Sequence, residues 1–262
     1  MNNPYLPQKT RIIDIRRETE LDWTYTLDWD GPLGPGQFLQ LSIPGVGEAP
    51  ISVSDFSAGR LSMTIRKVGR LTDAVFALRP GDHLYARGPY GNGFVIDDYR
   101  DTHLKVIAGG TGLAPVKKVI KDCIGSDRIR SLQVLLGFKT PADILFAEEV
   151  REWMESGLAT VTVDRGDGRW TGNTGLITRY IEGLDLSDCD RCTFIVVGPP
   201  VMIKFATLEL LKLRIAEENI WVSFERKMSC GIGKCGHCKI DETYVCLEGP
   251  VFRYAKARTL LD

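Results

Sequence analysis

Four cysteines stand close together near the C-terminus, and they restrict the fold of this chain more than any other feature. Cys230, Cys235, Cys238 and Cys246 form the pattern C-x4-C-x2-C-x7-C. The first three match the plant-type spacing of a [2Fe–2S] cluster, in which four thiolates hold two irons. His237 stands between two of these cysteines, and we interpret it as a spectator. The spacing therefore predicts that all four cysteines are metal ligands.

A structural zinc site is the alternative for four cysteines. Zinc sites usually carry two compact C-x2-C pairs, whereas here three ligands share one loop and the fourth stands apart. Gly231, Gly233 and Gly236 lie between the ligands, and their lack of a Cβ lets the loop wrap tightly and turn N–H groups toward sulfur. The pattern favours iron–sulfur, and stoichiometric zinc without sulfide would reverse that preference.

Composition is ordinary for a globular protein and argues against several function classes. The 262 residues fit two domains of typical size, and 33 Lys and Arg nearly balance 34 Asp and Glu. This balance provides no overall field that would attract nucleic acid or an anionic membrane. Met1–Thr10 lacks the basic flank and apolar run of a signal peptide, and no stretch reaches the length of a membrane span. We therefore expect a cytoplasmic protein with no nucleic-acid and no membrane partner.

The other three cysteines do not add a second site. Seven cysteines in a reducing compartment are expected to stay free thiols. Cys189 and Cys192 form C-x-x-C ahead of an apolar strand, whereas a thioredoxin-like motif would begin a helix. We interpret this pair as incidental and Cys123 as a packing residue.

Residues 1–99 show the pattern of a small antiparallel barrel. Six short apolar runs are separated by Gly, Pro and Asp turns, and one helical pattern, Leu71–Leu78, interrupts them. Six strands and one helix predict a barrel. The strand-like runs are Arg11–Ile15, Trp23–Leu27, Phe38–Ser42, Ile51–Ser54, Leu61–Lys67 and His83–Gly88.

Residues 100–224 alternate between strand and helix patterns, which predicts an α/β domain with a parallel sheet covered on both faces. The remainder, 225–262, holds the cysteine cluster and a short tail. The expected strands are Leu104–Ala108, Leu132–Phe138, Thr160–Val163, Thr193–Val197 and Ile220–Ser223. The expected helices are Ala114–Cys123, Ile144–Glu155, Gly175–Glu182 and Val201–Ala216.

Two loops of the α/β domain have the composition of a dinucleotide site. Gly109, Gly110, Thr111 and Gly112 follow a strand and precede a helix, where glycines permit close approach to a pyrophosphate. Alone, this turn is equally compatible with a tight strand–helix connection. Gly198, Pro199 and Pro200 follow a later strand. Since ligands bind beyond the carboxyl ends of parallel strands, two such loops in one domain favour a dinucleotide.

The order of barrel, GGTGLAP and VGPP resembles the ferredoxin–NADP reductase superfamily, and the resemblance covers essentially the whole chain. It implies an FAD-binding barrel (1–99), an NAD(P)-binding domain (100–224) and a [2Fe–2S] segment (225–262). The cysteine loop narrows the resemblance to electron-transfer subunits of dihydroorotate dehydrogenase, gamma subunits of soluble hydrogenases and the electron-transfer subunits of anaerobic sulfite reductase. VGEAPISVSD, GPYGNGF, SFERKMSCGIGKCGHC and YVCLEGPVF look most like the last two. The short gap before Cys246 and the stretch APVKKVIK look like the sulfite reductase subunits.

The resemblance implies a flavin site on the strand around position 51. Pro50, Ile51 and Ser52 fall on the family motif R-x-Y-[ST], whose third residue lies against the flavin ring and whose Ser bonds near N5. Ala49 replaces the Arg that usually meets the flavin phosphate, and Ile51 replaces the Tyr. Phosphate binding is therefore expected to come from elsewhere.

The following strand and helix complete the implied FAD site. Ile65, Arg66 and Val68 match the strand along the ribityl chain and pyrophosphate. Gly69 and Thr72 begin the helix whose N–H groups suit an FAD phosphate. Without the resemblance, these residues read as an ordinary strand, turn and helix cap.

Hydride transfer from a nicotinamide to a flavin depends on stacking geometry, so no acid–base side chain is required. The resemblance places Ser52 near flavin N5 and Glu225 as a wall near the flavin. The choice between NADH and NADPH depends on contacts to the adenosine ribose, where Lys139 and Arg165 are candidates. We expect NADH.

The predicted function is NAD(P)H oxidation through FAD and a [2Fe–2S] cluster, with electrons passed to a partner subunit that reduces sulfite. The chain shows no sulfite site of its own, so it is expected to belong to a multi-subunit complex. Two alternatives stay open. One keeps the electron transfer but has a hydrogenase or a dihydroorotate dehydrogenase as partner. The other is a zinc-stabilised, colourless nucleotide-binding module without redox activity.

Overall fold

The computed structural model describes Asn3 and residues 5–260, and the chain folds as two units. The first joins the chain up to Phe94 with Glu225–Val251, and the second joins Val95–Phe224 with the chain from Phe252 onward. The sequence suggested three segments, but residues 225–251 pack with the barrel because hydrogen bonds from its last strand and the turn after it hold them there. The expectations for residues 1, 2 and 4 and for the tail residues 261–262 lie outside the described residues.

Six antiparallel strands close into a barrel in the first unit, in the order β1-β2-β5-β4-β3-β6. This confirms the antiparallel barrel expected from the sequence. A six-residue helix, α1 (Arg70–Val75), connects β5 to β6. The strands are β1 (Gln8–Arg17), β2 (Asp22–Asp28), β3 (Phe38–Ile43), β4 (Gly47–Ser57), β5 (Arg60–Arg66) and β6 (His83–Tyr90).

Alternation along the strands explains why the barrel closes. In β5, Leu61, Met63 and Ile65 are fully buried, and the residues between them reach solvent. Successive side chains of a strand point to opposite faces, so this pattern places every second residue in the core. Gly59, in the two-residue turn before β5, has a φ of +70°, which glycine adopts at little cost.

The second unit contains a seven-stranded sheet in the order β10-β9-β8-β7-β11-β12-β15. The pairs from β10 to β12 are all parallel, which confirms the predicted α/β architecture. The strands are β7 (His103–Gly109), β8 (Ser131–Phe138), β9 (Ala159–Val163), β10 (Asn173–Thr174), β11 (Cys192–Val197), β12 (Ile220–Ser223) and β15 (Val251–Arg253). The helices are α2 (Leu113–Cys123), α3 (Ala147–Glu155), α4 (Pro200–Lys212) and α6 (Tyr254–Ala257).

Two predicted helices are shorter in the structure because non-glycine residues adopt left-handed conformations. Phe146 has a φ of +53°, so α3 begins after it instead of at Ile144. Arg214 has a φ of +62°, so α4 ends before the predicted Ala216. The expected helix Gly175–Glu182 is a 3-10 helix over Ile177–Gly183.

The cysteine segment, which we define as Glu225–Val251, contains only short elements before β15. They are β13 (Lys239–Ile240), β14 (Thr243–Tyr244) and α5 (Val245–Glu248). β13 and β14 form a hairpin whose turn residue Asp241 has a φ of +46°. Among the described residues, no helix has both the length and the apolar character that crossing a membrane requires.

Candidate functional site

The two glycine-containing loops of the second unit meet at one edge of its sheet. β7 ends at Gly109 and β11 ends at Val197, and the two strands are parallel neighbours. From β7 the chain proceeds outward through β8, β9 and β10 and then returns to β11 on the other side, so the strand order reverses here. Ligands of open parallel sheets bind beyond the carboxyl ends of strands at such a reversal. The structure thus brings together both loops predicted to bind the dinucleotide.

Gly112 allows these two loops to touch. A Cβ at this position would lie 2.6 Å from the carbonyl oxygen of Val197 and 2.7 Å from Cα of Gly198. Both are backbone atoms, so no side-chain rotation relieves the clash. Gly110 has a φ of +53° in the 3-10 turn before α2. The helix N-terminus that follows directly suits an anionic pyrophosphate, and Thr111, Pro199 and Pro200 are exposed beside it.

Met202 belongs to this loop pair and was missed in the sequence reasoning. A Cβ at Gly109 would lie 2.2 Å from its Sδ, and a Cβ at Gly198 would lie 2.9 Å from it. The thioether therefore packs over both glycines from the first turn of α4, where it forms a soft, adaptable wall. The sequence signal for this contact was the spacing of Met202 from Pro199, because a residue three positions into a helix lies about one turn above the loop that precedes it.

Pro50, Ile51 and Ser52 lie half-buried in β4, opposite β3. Ile51 packs against the barrel core. Ser52 pairs with Phe38, whose ring lies 5.8 Å from the ring of Tyr90 on β6. The contacts of these β4 residues with a flavin stay a prediction.

Arg66 and Thr72 already have protein partners. Arg66 Nε and Nη2 each donate to the fully buried carboxylate of Asp22 at 2.8 Å. The hydroxyl of Thr72 accepts the N–H groups of Val68 and Gly69 at 2.8 and 3.0 Å. These groups build the turn before α1. The predicted phosphate contacts of this turn therefore depend on groups other than those two N–H groups.

An open, positively charged surface remains beside this turn. Val68 is 77% exposed, and a Cβ at Gly69 would meet no heavy atom within 4 Å. Lys67 and Arg70 flank the two residues, and Arg70 Nη2 lies 3.3 Å from the carbonyl oxygen of Gly45. Lys67 also pairs with Asp73 at 4.0 Å, so among the described residues Arg70 is the cation of this turn without an acidic partner. A pyrophosphate contact here, in place of the arginine missing at position 49, stays a prediction. Ile65, by contrast, has its side chain in the barrel core, so it offers a cofactor only its backbone.

The four cysteines of the C-terminal segment fold together in two pairs. The N–H of Cys235 donates to Cys230 Sγ at 3.4 Å, and the N–H of Val245, the residue before Cys246, donates to the carbonyl oxygen of Cys238 at 3.4 Å. The hairpin β13–β14 returns the chain so that the fourth cysteine reaches the third. Among the described residues, no three His, Cys, Asp or Glu side chains are placed to hold a single metal ion. Two cysteine pairs fit the ligand set of a [2Fe–2S] cluster, which has two thiolates on each iron.

Backbone N–H groups point at these sulfurs, as the glycines in the loop predicted. Cys230 Sγ accepts from Ile232, Lys234 and Cys235 at 3.3 to 3.4 Å, and Cys246 Sγ accepts from Gly233 at 3.2 Å. Such bonds stabilise negative charge on sulfur and tune a bound cluster. Residues and chemistry therefore fit a [2Fe–2S] cluster.

The two ends of the cysteine site differ in electrostatics. Backbone N–H groups, that of His237 first, lower the pKa of Cys235 to about 7. Burial raises the pKa of Cys246 to about 12. The exposed end is thus close to the thiolate form that binds metal, whereas the buried end releases its proton when a cation arrives.

Three further predicted residues lie elsewhere. Glu225 is exposed and begins the cysteine segment, and its place beside a flavin stays a prediction. Lys139 and Arg165 follow β8 and β9, and the N–H of Arg165 donates to the carbonyl oxygen of Lys139 at 3.0 Å. Both therefore stand at the carboxyl edge of the sheet, where an adenosine ribose is expected.

Two protein-family models match this chain, one over the nucleotide-binding loops and one over the four cysteines. Residues 106–207 match the oxidoreductase NAD-binding domain, and residues 225–257 match the iron–sulfur cluster binding domain of dihydroorotate dehydrogenase B. The first match includes both glycine-containing loops, and the second includes all four cysteines.

Relatives with curated names match along nearly the entire chain. The sulfhydrogenase 1 subunit gamma of Pyrococcus furiosus is 33% identical, and the match covers 97% of this chain and 92% of that protein. A probable dihydroorotate dehydrogenase B (NAD(+)) electron transfer subunit of Thermoplasma acidophilum is 30% identical, covering 94% of this chain and 89% of that protein.

Solved structures share the fold. A chain of the NADH-dependent reduced ferredoxin–NADP oxidoreductase, solved to study flavin-based electron bifurcation, superposes with a TM-score of 0.77 at 24% identity, covering 94% of this chain and 88% of that one. A ferredoxin NADP+ reductase from Neisseria gonorrhoeae with bound FAD and NADP superposes with a TM-score of 0.71 at 16% identity, covering 83% and 98%.

The fold and site define an NAD(P)H-dependent flavin and iron–sulfur oxidoreductase, whose cofactors are FAD, an iron–sulfur cluster and NADH or NADPH. The chain has the ferredoxin–NADP reductase-like fold, and it belongs to the family that contains sulfhydrogenase gamma subunits and dihydroorotate dehydrogenase electron-transfer subunits. The zinc-stabilised alternative is thereby set aside.

Gly112→Ala is expected to destabilise the second unit and weaken NADH binding, because the new Cβ meets backbone at 2.6 Å. Overpacking of this kind costs about 1–3 kcal/mol. Denaturant unfolding and an NADH binding titration measure both effects. Gly183→Ala is the matched control, because a Cβ there meets nothing within 4 Å. Equal stability of the two variants would contradict the close packing of the loops.

Cys230→Ala is expected to remove most of the iron and acid-labile sulfide, since one iron loses a ligand. Iron and sulfide assays and the visible absorbance of anaerobically purified protein provide the measurement. Cys189→Ala removes an exposed cysteine outside the segment and should keep the full content. A Cys230→Ala protein that retained two irons and two sulfides would show that this cysteine is not a ligand.

Proposed function

We propose that this chain is the electron-transfer subunit of a multi-subunit reductase. It oxidises NADH with FAD and passes single electrons through its [2Fe–2S] cluster to a partner that reduces sulfite. The sulfite assignment is supported by the resemblance of the cysteine loop and of the APVKKVIK stretch to the electron-transfer subunits of anaerobic sulfite reductase.

One observation carries the electron-transfer role: the predicted flavin strand and the cysteine segment lie in the same folded unit. Ser52 pairs with Phe38, and the ring of Phe38 packs on Tyr90. A Cβ on Gly231, next to the first cysteine ligand, would lie 2.8 Å from Cδ2 of Tyr90. Two aromatic side chains therefore connect the flavin strand to the cluster loop.

The residues of the chain bind and orient the reactants. The loops at Gly109–Gly112 and Gly198–Pro200 hold the dinucleotide, with Met202 as a wall beside them. The FAD that the barrel would hold would supply the conversion between two-electron hydride chemistry and the one-electron chemistry of the cluster. Proximity and orientation account for this chemistry, so the site needs no acid–base side chain.

The terminal reduction belongs to another subunit. Seven cysteines leave three after the four ligands are assigned, which is one fewer than a second four-thiolate cluster needs. Of these three, Cys123 and Cys192 are buried. The chain thus provides one cluster and one nucleotide site. Reduction of sulfite by the isolated chain with NADH would contradict this division.

A hydrogenase is the second candidate partner. The 33% identity to a sulfhydrogenase gamma subunit over 97% of this chain favours it. The electron path within this chain is the same in both cases, and only the acceptor differs.

Anaerobic titration with NADH is expected to bleach both the flavin band and the broad cluster absorbance. FAD takes two electrons and the cluster one, so full reduction requires about 1.5 equivalents of NADH per chain. The Cys230→Ala variant serves as control and should stop at about 1 equivalent. Flavin and cluster absorbance that ignored NADH would contradict the proposed direction of electron flow.

Purification of the tagged chain from its native cells under anaerobic conditions is expected to recover a partner that contains sirohaem. Pigment extraction and metal analysis of the complex identify it. Nickel in place of sirohaem would establish the hydrogenase alternative and overturn the sulfite assignment, and the role of this chain in electron transfer would stand.

A further inference from the structure

Arg87 connects the last barrel strand to the cysteine segment. Its Nη1 donates to the carbonyl oxygen of Cys230 at 2.6 Å, and its Nη2 donates to that of Ser229 at 2.7 Å. The side chain is only 7% exposed. One guanidinium thus binds the backbone of the first cysteine ligand and of the residue before it.

The charge of Arg87 is held in place by two neighbours on the barrel. Its Nε donates to the carboxylate of Glu48 at 2.9 Å, and its Nη2 also contacts that carboxylate. Its Nη1 donates to the hydroxyl of Tyr90 at 3.0 Å. The hydrogen bonds to Glu48 raise the pKa of Arg87 further above its ordinary value, so the side chain stays a cation at every relevant pH.

Asn92, in the turn after β6, holds the other end of the segment without charge. Its Nδ2 donates to the carbonyl oxygens of Glu248 and Val251 at 2.9 and 2.8 Å. Its backbone N–H donates to the carbonyl oxygen of Gly249 at 2.8 Å. The cation Arg87 on β6 therefore holds the segment at Cys230, the first ligand. The amide of Asn92, in the turn after β6, holds it after Cys246, the last ligand.

We propose that Arg87 is a positioning residue for the cluster, which fixes the first ligand loop on the barrel and raises the reduction potential through its charge. Reduction adds one negative charge to the cluster, and a fixed cation next to Cys230 stabilises that state more than the oxidised one. The inference rests on the proposed cluster. Iron and sulfide analysis of the unmodified protein tests that cluster separately.

The experiment compares Arg87→Met, Arg87→Lys, Asn92→Ala and Arg100→Met in the full chain. The midpoint potential is measured by a redox titration followed by electron paramagnetic resonance of the reduced cluster, and iron release is measured with a chelator. Arg100 is the matched control, because it is exposed and pairs with Asp97 in the second unit. Arg100→Met is expected to change neither quantity.

Arg87→Met is expected to shift the potential to more negative values and to release iron roughly tenfold faster, since loss of an outer-shell contact lowers metal affinity by about tenfold or more. Asn92→Ala should release iron faster at an unchanged potential, because it removes a contact but no charge. Arg87→Lys should have the potential of the unmodified protein, because it keeps the positive charge. It should still release iron faster, since an ammonium cannot bind both carbonyls with the forked geometry of a guanidinium.

Unchanged potential and unchanged iron release in Arg87→Met would overturn the proposal. Faster release at an unchanged potential would overturn its electrostatic part and leave Arg87 equivalent to Asn92. If Arg87→Met does not fold, Arg87→Lys decides, because iron release at the parent rate in that variant would show that the two-carbonyl contact is not needed. A parent protein without iron and sulfide would instead refute the proposed function.

Discussion

The hydrogen bonds from Arg87 to the backbone carbonyls of Ser229 and Cys230 hold the cysteine segment on the barrel, and the placement of the cluster ligands depends on them. The cysteine segment has two-residue strands and one short helix, too little apolar surface for a core of its own. Segments of this kind fold on metal or on a neighbouring surface. The last barrel strand and the turn after it provide that surface through Arg87 and Asn92, and Glu48 pairs with the guanidinium, whose burial without a partner would be costly. The barrel therefore positions the cysteines instead of merely preceding them.

Much of this architecture was predictable because its signals are local. Alternation in Leu61–Ile65, the apolar run at Thr193–Val197 and the spacing of the four cysteines each depend on a few neighbouring residues. The meeting of the two nucleotide loops also followed from sequence, since the carboxyl ends of parallel strands share an edge. The clash that a Cβ at Gly112 would cause explains in atomic terms why the loop needs glycine there.

What the sequence did not reveal depends on contacts between distant positions. Arg87 and Cys230 are separated by 143 residues, and the sequence around neither residue indicates that they are in contact. The pairing of Arg66 with Asp22, 44 residues away, likewise had no signal in the sequence around either residue. Local conformations of non-glycine residues were equally hidden: the left-handed Phe146 delays the start of α3, although its neighbours favour a helix.

The main task of the site residues is to fix main-chain positions, and reactive side chains contribute less. Hydride transfer and electron transfer depend on where the centres lie, so the residues that matter are those that fix main-chain positions. Gly112 does this by letting α2 approach Val197, and Arg87 does it by binding the carbonyl of Cys230. Neither residue is a conventional catalytic group, and neither acts as an acid or a base. A chain that must place two redox centres and a dinucleotide thus uses glycine, arginine and asparagine where a hydrolase would use histidine and serine.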